Sequence, residues 1–495
     1  MAAAALLSLS PTFSPPSTCT DAVVGGGWSG VYFLYRRALA SADPSSLCLF
    51  ESSHRIGGRT YSVGPSTLGN EFTVDIGAYR FSPDMHLPGD LILHDLKLPV
   101  ACYEPSCPNA AKDFPPPFMF NYSAPLVRIV DPTTKLPAGY VTALHAMLKR
   151  LEPLGVRVFL NATVVDVSTA GSSTKLTFAG GGATTATTVM LNLPRNKLLA
   201  LPSLVRSVAP RTLGMLQCVK FDAPPSMFHN MTIGQSTGLT KAYLYYADAW
   251  WVTKLNKTEG SCPTDNCQYP HNAFLPLTAA NGLKIGTHFN DGPVACADDG
   301  RDGQTCHGYL QIYYAATNET FYYGTSGAPA EPLGIAHAQP PYEHARLEKA
   351  HAAIIDVLAP LLAAAGVDPA SLPYPTQMVV GAWSRPGVIK HDHGYTSPTK
   401  VYWDPSISGT LGAACAVDGL TEDEYRSTVL QPFGKAAAVY LANNDFLAQQ
   451  STYFEGDWAQ ESLLQCERAL YRLGVKRPDW LNASYYAERI VAKAW

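Results

Sequence analysis

The amino-acid sequence predicts an α/β fold in two parts, a Rossmann-like nucleotide-binding domain and an α+β domain with a mixed sheet. Three observations carry this expectation. Asp21-Ala22-Val23-Val24 reads as a buried strand and runs directly into Gly25-Gly26-Gly27-Trp28-Ser29-Gly30, whose Gly25, Gly27 and Gly30 fill the three glycine places of the dinucleotide fingerprint. An apolar helix over Val31–Ala40 follows, and a second buried strand, Ser46–Phe50, ends at Glu51, 21 residues past Gly30. Further along, short strand-like runs flank one long helical stretch, which suits a second, mainly antiparallel sheet.

Each part of the first motif has a physical task. The first glycine permits the tight turn, the second lets backbone approach a pyrophosphate, and the third lets helix and strand pack closely. The helix then points its free N–H groups and positive dipole end at the phosphates. Glu51 stands where a carboxylate meets the adenosine ribose hydroxyls.

Composition narrows the class. The 495 residues suffice for two packed domains with sizeable cores. With 46% hydrophobic residues, 15% charged residues, a net charge of −4 and no basic cluster, nucleic acid is not an expected partner. No run reaches the roughly 18 apolar residues of a membrane helix. Residues 1–19 read as a tail or signal-like segment, with an apolar patch over Ala2–Leu9 and no basic start.

Six acceptor sequons, headed by Asn121, Asn161, Asn230, Asn256, Asn318 and Asn482, point to a glycoprotein. Among the 11 cysteines, Cys102/Cys107, Cys262/Cys267 and Cys296/Cys306 are close pairs in polar loops that suit local disulfides, and none has zinc spacing. Cys19 and Cys48 form a further candidate pair, although Cys48 within a strand also reads as core. The odd total leaves at least one thiol free or paired elsewhere. These features predict a secreted, extracellular or periplasmic protein.

After Glu51 the chain reads His54-Arg55-Ile56-Gly57-Gly58-Arg59-Thr60. This loop, following the glycine turn and the acid, resembles that of the flavin amine oxidase family, which includes monoamine, polyamine and L-amino-acid oxidases. The resemblance implies FAD, bound non-covalently, with the arginine-glycine loop along its diphosphate. It assigns cofactor contacts to Gly25, Gly27, Trp28, Ser29 and Gly30, to Glu51 and Ser52, and to Gly58 and Arg59. In Val74-Asp75-Ile76-Gly77-Ala78-Tyr79-Arg80-Phe81, it implies that Gly77, Ala78, Tyr79 and Arg80 border the flavin ring.

Arg80 separates the substrate classes. In L-amino-acid oxidases an arginine of this segment binds the substrate carboxylate, whereas amine and polyamine oxidases carry an aromatic or apolar residue there. A planar guanidinium offers two parallel donors and keeps its charge, which is what a carboxylate requires. The alternative is a surface or phosphate-binding arginine.

Beyond this segment, Asp84–Leu98 is expected to be helical, and residues 99–125 form a loop rich in proline and aromatics. Val141, Leu144, Leu148 and Leu151 give the next helix an apolar face. Strands follow over Gly155–Leu160, Thr163–Val167, Lys175–Phe178 and Val189–Leu193, the last three as a meander around Gly180-Gly181-Gly182. The resemblance assigns the adenine to the backbone at Val164-Val165. The second domain is expected to hold strands at Met215–Phe221, Ala242–Tyr246, Tyr309–Tyr314 and Gln377–Ala382, with a helix over Tyr342–Ala365. A family lysine close to flavin N5 has no clean counterpart here: Gln217 or Cys218 takes its place, with Lys220 late.

The chain is expected to return to the nucleotide domain at its carboxyl end. There Ala436–Leu441 is a strand entering Ala442-Asn443-Asn444-Asp445, where the family normally reads Ala-Gly-Glu, so that Asn444 and Asp445 face the cofactor. Trp458 and Ala459 start the family's closing helix, and Trp458 aligns with one wall of a cage for the substrate amine, with His393 or Tyr395 opposite. His391 and His393 flank Asp392, but no third ligand stands at a matching spacing, so no metal is expected. The implied division is 20–100, 155–204 and 426–480 for the discontinuous FAD-binding domain, and 101–154 with 205–425 for the substrate region.

The expected reaction is oxidation of the α-amine of an L-amino acid by hydride transfer to flavin N5, giving a 2-oxo acid and ammonia, with O2 as the oxidant that yields hydrogen peroxide. The runner-up is an amine or polyamine oxidase of the same fold. A flavoprotein relative that is not an oxidase is the third reading. The sequence leaves the preferred side chain and a homodimer open.

Overall fold

The computed structural model describes residues 13–102, 126–217, 240–256, 260–261, 277–285, 288–289, 292–298, 304–315, 320–323, 332–338, 341–383, 422–443 and 458–493.

The first sheet is centred on β1 (Thr18–Val24), which pairs in parallel with β2 (Cys48–Phe50) on one side and β10 (Ala183–Leu191) on the other. Ala22, Val23 and Val24 are buried, as expected of a strand covered on both faces. Helix α1 (Trp28–Ala40) begins directly after the glycine turn and buries Val31, Tyr32, Phe33, Leu34 and Tyr35. Arg59 is followed by a small antiparallel ladder of β3 (Ser62–Val63) and β4 (Val74–Asp75), and β5 (Val100–Cys102) pairs with β6 (Val127–Ile129). Helix α2 (Thr142–Leu151) turns Leu144, Met147, Leu148 and Leu151 to the core shared with α1.

Strand β7 (Arg157–Phe159) adds to β2 in parallel, and β8 (Val164–Ala170), β9 (Ser173–Phe178) and β10 form the expected meander. The free edge of β10 is shared: residues 183–186 pair with β9, and residues 189–191 pair in parallel with a strand from the far end of the chain, Val439–Leu441. The parallel strands therefore present their carboxyl ends at one edge, at Val24, Phe50, Phe159, Leu191 and Leu441. Ligands of open α/β sheets bind outside that edge.

The second sheet is antiparallel throughout, so the mixed pairing belongs to the first. Its middle strand is β11 (Thr240–Tyr246), flanked by Gln304–Ala315 and by Gln377–Ala382, with Val294–Asp298 and Leu333–His337 outside them. A long helix, Pro341–Ala364, packs Leu347, Ile354, Leu358 and Leu362 into the same core as Met378 and Val380.

Two local expectations are corrected. Met215–Gln217 is not strand but the end of α3 (Pro210–Gln217), with Pro210 at the helix start and Thr212, Met215 and Leu216 buried on one face. A short apolar run has no decisive period, and burial of that face beside the first sheet decides it. The helix expected over Asp84–Leu98 is confined to His86–Asp90 and a wider turn, Leu91–Asp95. The rest of the Met215–Phe221 segment lies outside the described residues.

Disulfides join Cys19 to Cys48 and Cys296 to Cys306, and Cys102 is also disulfide-bonded. Cys107, Cys262 and Cys267 lie outside the described residues. Among the described residues no helix is long and apolar enough to cross a membrane.

Candidate active site

The glycine turn and the first helix interlock through bare backbone. A Cβ on Gly30 would stand 1.9 Å from Gly25 O, and one on Gly25, whose φ is +100°, would stand 2.3 Å from Asn192 O. Neither position has room for a side chain. Glu51 is buried at the end of β2, where its Oε2 accepts from Gly26 N at 2.6 Å and its Oε1 from Ser53 N at 2.8 Å and Ser52 Oγ at 3.3 Å. An ionised carboxylate has about four lone-pair sites, so acceptor capacity is left for a hydroxyl. Ala162 N donates to Glu51 O at 2.8 Å, which brings the start of β8 to this acid. Val165 is 40% exposed there, and the pairing of β8 with β9 skips it.

The arginine-glycine loop closes over the turn. Gly57 N donates to Gly26 O at 2.9 Å, and Trp28 Nε1 donates to Thr60 Oγ1 at 3.0 Å. A Cβ on Gly58 would lie 3.3 Å from Gly27 Cα, so the two glycine segments touch along their backbones. Arg59 Nη2 donates to Asn443 Oδ1 at 3.0 Å, Asn443 Nδ2 to Asn192 Oδ1 at 3.3 Å, and Ser29 Oγ to that same oxygen at 3.0 Å. Asn192 Nδ2 reaches Gly25 O at 3.3 Å. Asn192 and Asn443, both buried, thus tie the ends of two parallel strands to the turn and to Arg59. The only sequence signal for either is its place just past a strand that proves to be parallel.

The segment after β4 crosses to the second sheet. Gly77 is enclosed: a Cβ there would lie 2.1 Å from Arg59 O and 2.9 Å from the Trp383 ring. Ala78 N donates to Arg59 O at 3.1 Å. The next residue, Tyr79, is buried, and the guanidinium of half-buried Arg80 lies 4.8 Å from the centre of its ring.

On the other strand stands a lysine that sequence reasoning missed. Lys241 is fully buried; its Nζ donates to Gly77 O at 2.7 Å and Asp75 O at 3.4 Å, and lies 3.3 Å from the centre of the Tyr79 ring. Burial, then the nearby charge of Arg80, hold this amine well below the usual lysine range against the opposing pull of Asp75. Of the positions considered for the family lysine, Gln217 ends α3, and Cys218 and Lys220 lie outside the described residues. A charge inside the apolar run Ala242–Tyr246 and its flank was the available signal, because lysine is almost never fully buried without a task.

The Asp75 side chain accepts from Ser62 Oγ and from Tyr140 N at 3.2 Å. Burial pushes its carboxyl up to about 6, while Ser62, Lys241, Tyr140 and Arg128 pull the other way.

Trp458 and Ala459 open the helix Trp458–Arg472 (α4), and Ala459 is buried. That helix leans on α1: Tyr32 Oη donates to Glu467 Oε1 at 2.6 Å, Arg36 pairs with the same carboxylate at 3.2 Å, and Cys466 Sγ contacts Ser29 O at 3.1 Å. His393, Tyr395, Asn444 and Asp445 lie outside the described residues. Among the described residues no cluster of three or more His, Cys, Asp or Glu is placed to hold a metal.

Residues 23–87 match a family model described as an NAD(P)-binding Rossmann-like domain. That segment is a Rossmann-like dinucleotide-binding domain. No curated protein matches the chain. Among solved structures, this Rossmann-like protein is similar to a putrescine oxidase bound to putrescine, with 14% identity, 93% of this chain and 100% of that chain covered, and a TM-score of 0.48. It is also similar to a putative protoporphyrinogen oxidase from Exiguobacterium sp. 255-15, with 11% identity, 94% and 100% of the chains covered, and a TM-score of 0.46.

Proposed function

We propose that the protein is an FAD-dependent oxidase of L-amino acids, giving 2-oxo acid, ammonia and hydrogen peroxide. The residues around the glycine turn fit FAD. Gly25 and Gly30 leave no room for side chains, Glu51 retains acceptor capacity toward a ribose, and Arg59 is tethered beside the turn. Backbone N–H groups from Gly27 to Gly30, at the start of α1, would hold the pyrophosphate non-covalently. Ser52, Val165, Asn444 and Asp445 complete the set in this reading, and the Gly77–Tyr79 segment would border the flavin ring. When bound, the flavin supplies the hydride acceptor and the route of electrons to O2.

The observation that carries the substrate assignment is the pair of cations on one ring: Arg80 and Lys241 both lie against Tyr79, beside Gly77. Arg80 would clamp the α-carboxylate through two parallel N–H donors and fix the orientation of the Cα–H bond. Lys241, readily neutral where it is, would hold a water or accept a proton from the ammonium of the incoming substrate. Trp458, with His393 or Tyr395, would confine the amine. The amino end of α4 would stabilise negative charge placed before it.

A polyamine suits this site poorly. Arg80, whose guanidinium keeps its charge, lies against the Tyr79 ring, and a polycation approaching it is repelled. In the same reading, the first sheet with its helices is the FAD-binding domain and the antiparallel sheet carries the substrate. The disulfides Cys19–Cys48 and Cys296–Cys306, with exposed sequon residues Asn161, Asn256 and Asn482, support secretion as a glycoprotein.

A peroxide-release screen across the common L-amino acids and polyamines tests the proposal. Amino acids should be turned over, and Arg80→Met should raise their KM by roughly 30-fold or more, as expected for truncating one partner of a desolvated charge pair. Amino-acid turnover with unchanged KM in that variant would remove the carboxylate assignment. Peroxide from polyamines alone would replace the substrate class.

A further inference from the structure

We propose that Tyr245 is a one-electron redox site that carries oxidising equivalents from the buried aromatic cluster beside Gly77 to the protein surface, with His307 taking its proton. The inference rests on the oxidase reading for the source of the oxidant, hydrogen peroxide. It adds a site outside the residues assigned there to cofactor and substrate.

Three side chains from distant parts of the chain stand in line. The Tyr245 hydroxyl, on β11, lies 2.9 Å from His307 Nδ1, and His307 Nε2 lies 2.9 Å from Glu71 Oε1. Glu71 belongs to the connection between β3 and β4, and His307 to the strand Gln304–Ala315. A carboxylate only accepts, so the neutral imidazole carries its proton on Nε2 and leaves Nδ1 to accept from the Tyr245 hydroxyl. Burial, then the charge of Glu71, hold the phenol above its ordinary value, so it keeps its proton until an electron is removed. At that moment the phenol becomes a strong acid with a base already in place. Glu71 then stabilises the imidazolium that forms.

The ring of Tyr245 also connects inward. It lies 5.1 Å, centre to centre, from the ring of Tyr309, its direct partner across the sheet. Tyr309 packs in one buried cluster with Phe72, Ile76, Tyr243 and Trp383. Trp383 Nε1 donates to Ile76 O at 2.6 Å, and its ring closes on Gly77, in the segment read as the border of the flavin. Tyr309 is a poor resting place for a hole. Its hydroxyl donates to Gln377 Oε1 and accepts from Asn70 Nδ2 at 2.9 Å, and amides are too weakly basic to take a phenolic proton. Of these two stacked phenols, Tyr245 is the one that faces a base. It is half-buried, as is His307, and Glu71 is exposed, so the line runs from the core to solvent.

The transfer balances. A hydroxyl-type radical derived from hydrogen peroxide takes an electron from Trp383 or Tyr309 and leaves as hydroxide. Tyr245 returns an electron to that ring while its O–H bond breaks and an N–H bond forms at His307 Nδ1. A small thiol in solution gives a hydrogen atom to the phenoxyl oxygen and departs as a thiyl radical, and His307 releases its proton to water.

Trapping the radical locates it. FAD-loaded protein is exposed to azide radicals, which are one-electron oxidants, with a nitroso spin trap present, and the adducts are mapped by peptide mass spectrometry. Tyr374 and Tyr471, 57% and 39% exposed, serve as references. Half-buried Tyr245 should carry more adduct than either. His307→Phe should lower the Tyr245 adduct roughly tenfold, the weight of one hydrogen bond to a charged group. Glu71→Gln should lower it by less. After an equal dose, Tyr245→Phe should contain more oxidised Trp383 than wild type. Adducts that simply follow exposure, a Tyr245 adduct unchanged in His307→Phe, or equal Trp383 oxidation in Tyr245→Phe overturns the proposal. Peroxide release from amino acids reports separately on the oxidase reading. If His307→Phe does not fold, Glu71→Gln and Tyr245→Phe decide.

Discussion

Lys241 Nζ stands over the Tyr79 ring at 3.3 Å from its centre and donates to Gly77 O at 2.7 Å, fully buried where the segment after β4 meets β11. A lysine so placed loses the hydration of its ammonium and recovers two carbonyls and a ring face in exchange. Desolvation prevails, which is why the amine is held well below its ordinary range.

Lys241→Met should lower kcat by on the order of 10²-fold or more, the usual worth of a positioned proton-transfer group. Its effect on stability should have the opposite sign. The unfolded chain keeps the lysine proton to higher pH than the folded one, so wild-type stability rises as pH increases through that window toward the ordinary lysine value. Below the window the buried ammonium is a cost. Thermal unfolding across pH should show the variant gaining on wild type at the acid end, with the gap narrowing as pH rises. A gap independent of pH would remove Lys241 as a titrating group.

Asp75→Asn should flatten a different part of the profile. The folded-state carboxyl is raised to about 6, so the folded protein binds more protons than the unfolded chain between the ordinary aspartate value and that point. The resulting stability is present in full below the ordinary value and is lost as pH rises through about 6. Differential melting of wild type and Asp75→Asn should reveal it, with an upper limit of about 3 kcal/mol.

Gly30→Ala should yield protein purified with little or no FAD. The added methyl would meet Gly25 O at 1.9 Å, and both atoms belong to backbone that cannot swing aside. Displacing the turn should cost roughly 1–3 kcal/mol, as overpacking does elsewhere. The flavin absorbance relative to protein reads the outcome, and a normal flavin content would contradict the close contact.

Replacing Cys19 and Cys48 together by alanine should lower stability by roughly 3–4 kcal/mol, the chain-entropy value for a loop of this length. The bridge spans 29 residues and encloses the glycine turn and α1. Chemical denaturation of the double variant beside wild type measures the difference. An unchanged midpoint would mean that the unfolded chain is not constrained by this link.

Much of the Rossmann-like domain was legible because its signals are contiguous. Gly25 to Gly30 form one run, the helix follows at once, and the acid at Glu51 stands at a fixed distance because a helix and a strand have fixed lengths. The strand expected at Met215 failed for the converse reason: a few apolar residues carry no period, and burial of Thr212, Met215 and Leu216 on one face settled a helix.

By itself, then, the sequence determined the nucleotide-binding turn and the pairing of Cys296 with Cys306, both encoded within short stretches of chain. Only the tertiary structure decided which lysine meets Gly77, which asparagines tether Arg59, and that Arg80 and Lys241 share one ring. Lys241 and Gly77 are 164 residues apart, and Asn443 and Arg59 are 384 apart. Whether a charge is buried, and against what, depends on the neighbours that folding supplies, and no local pattern of residue types records them.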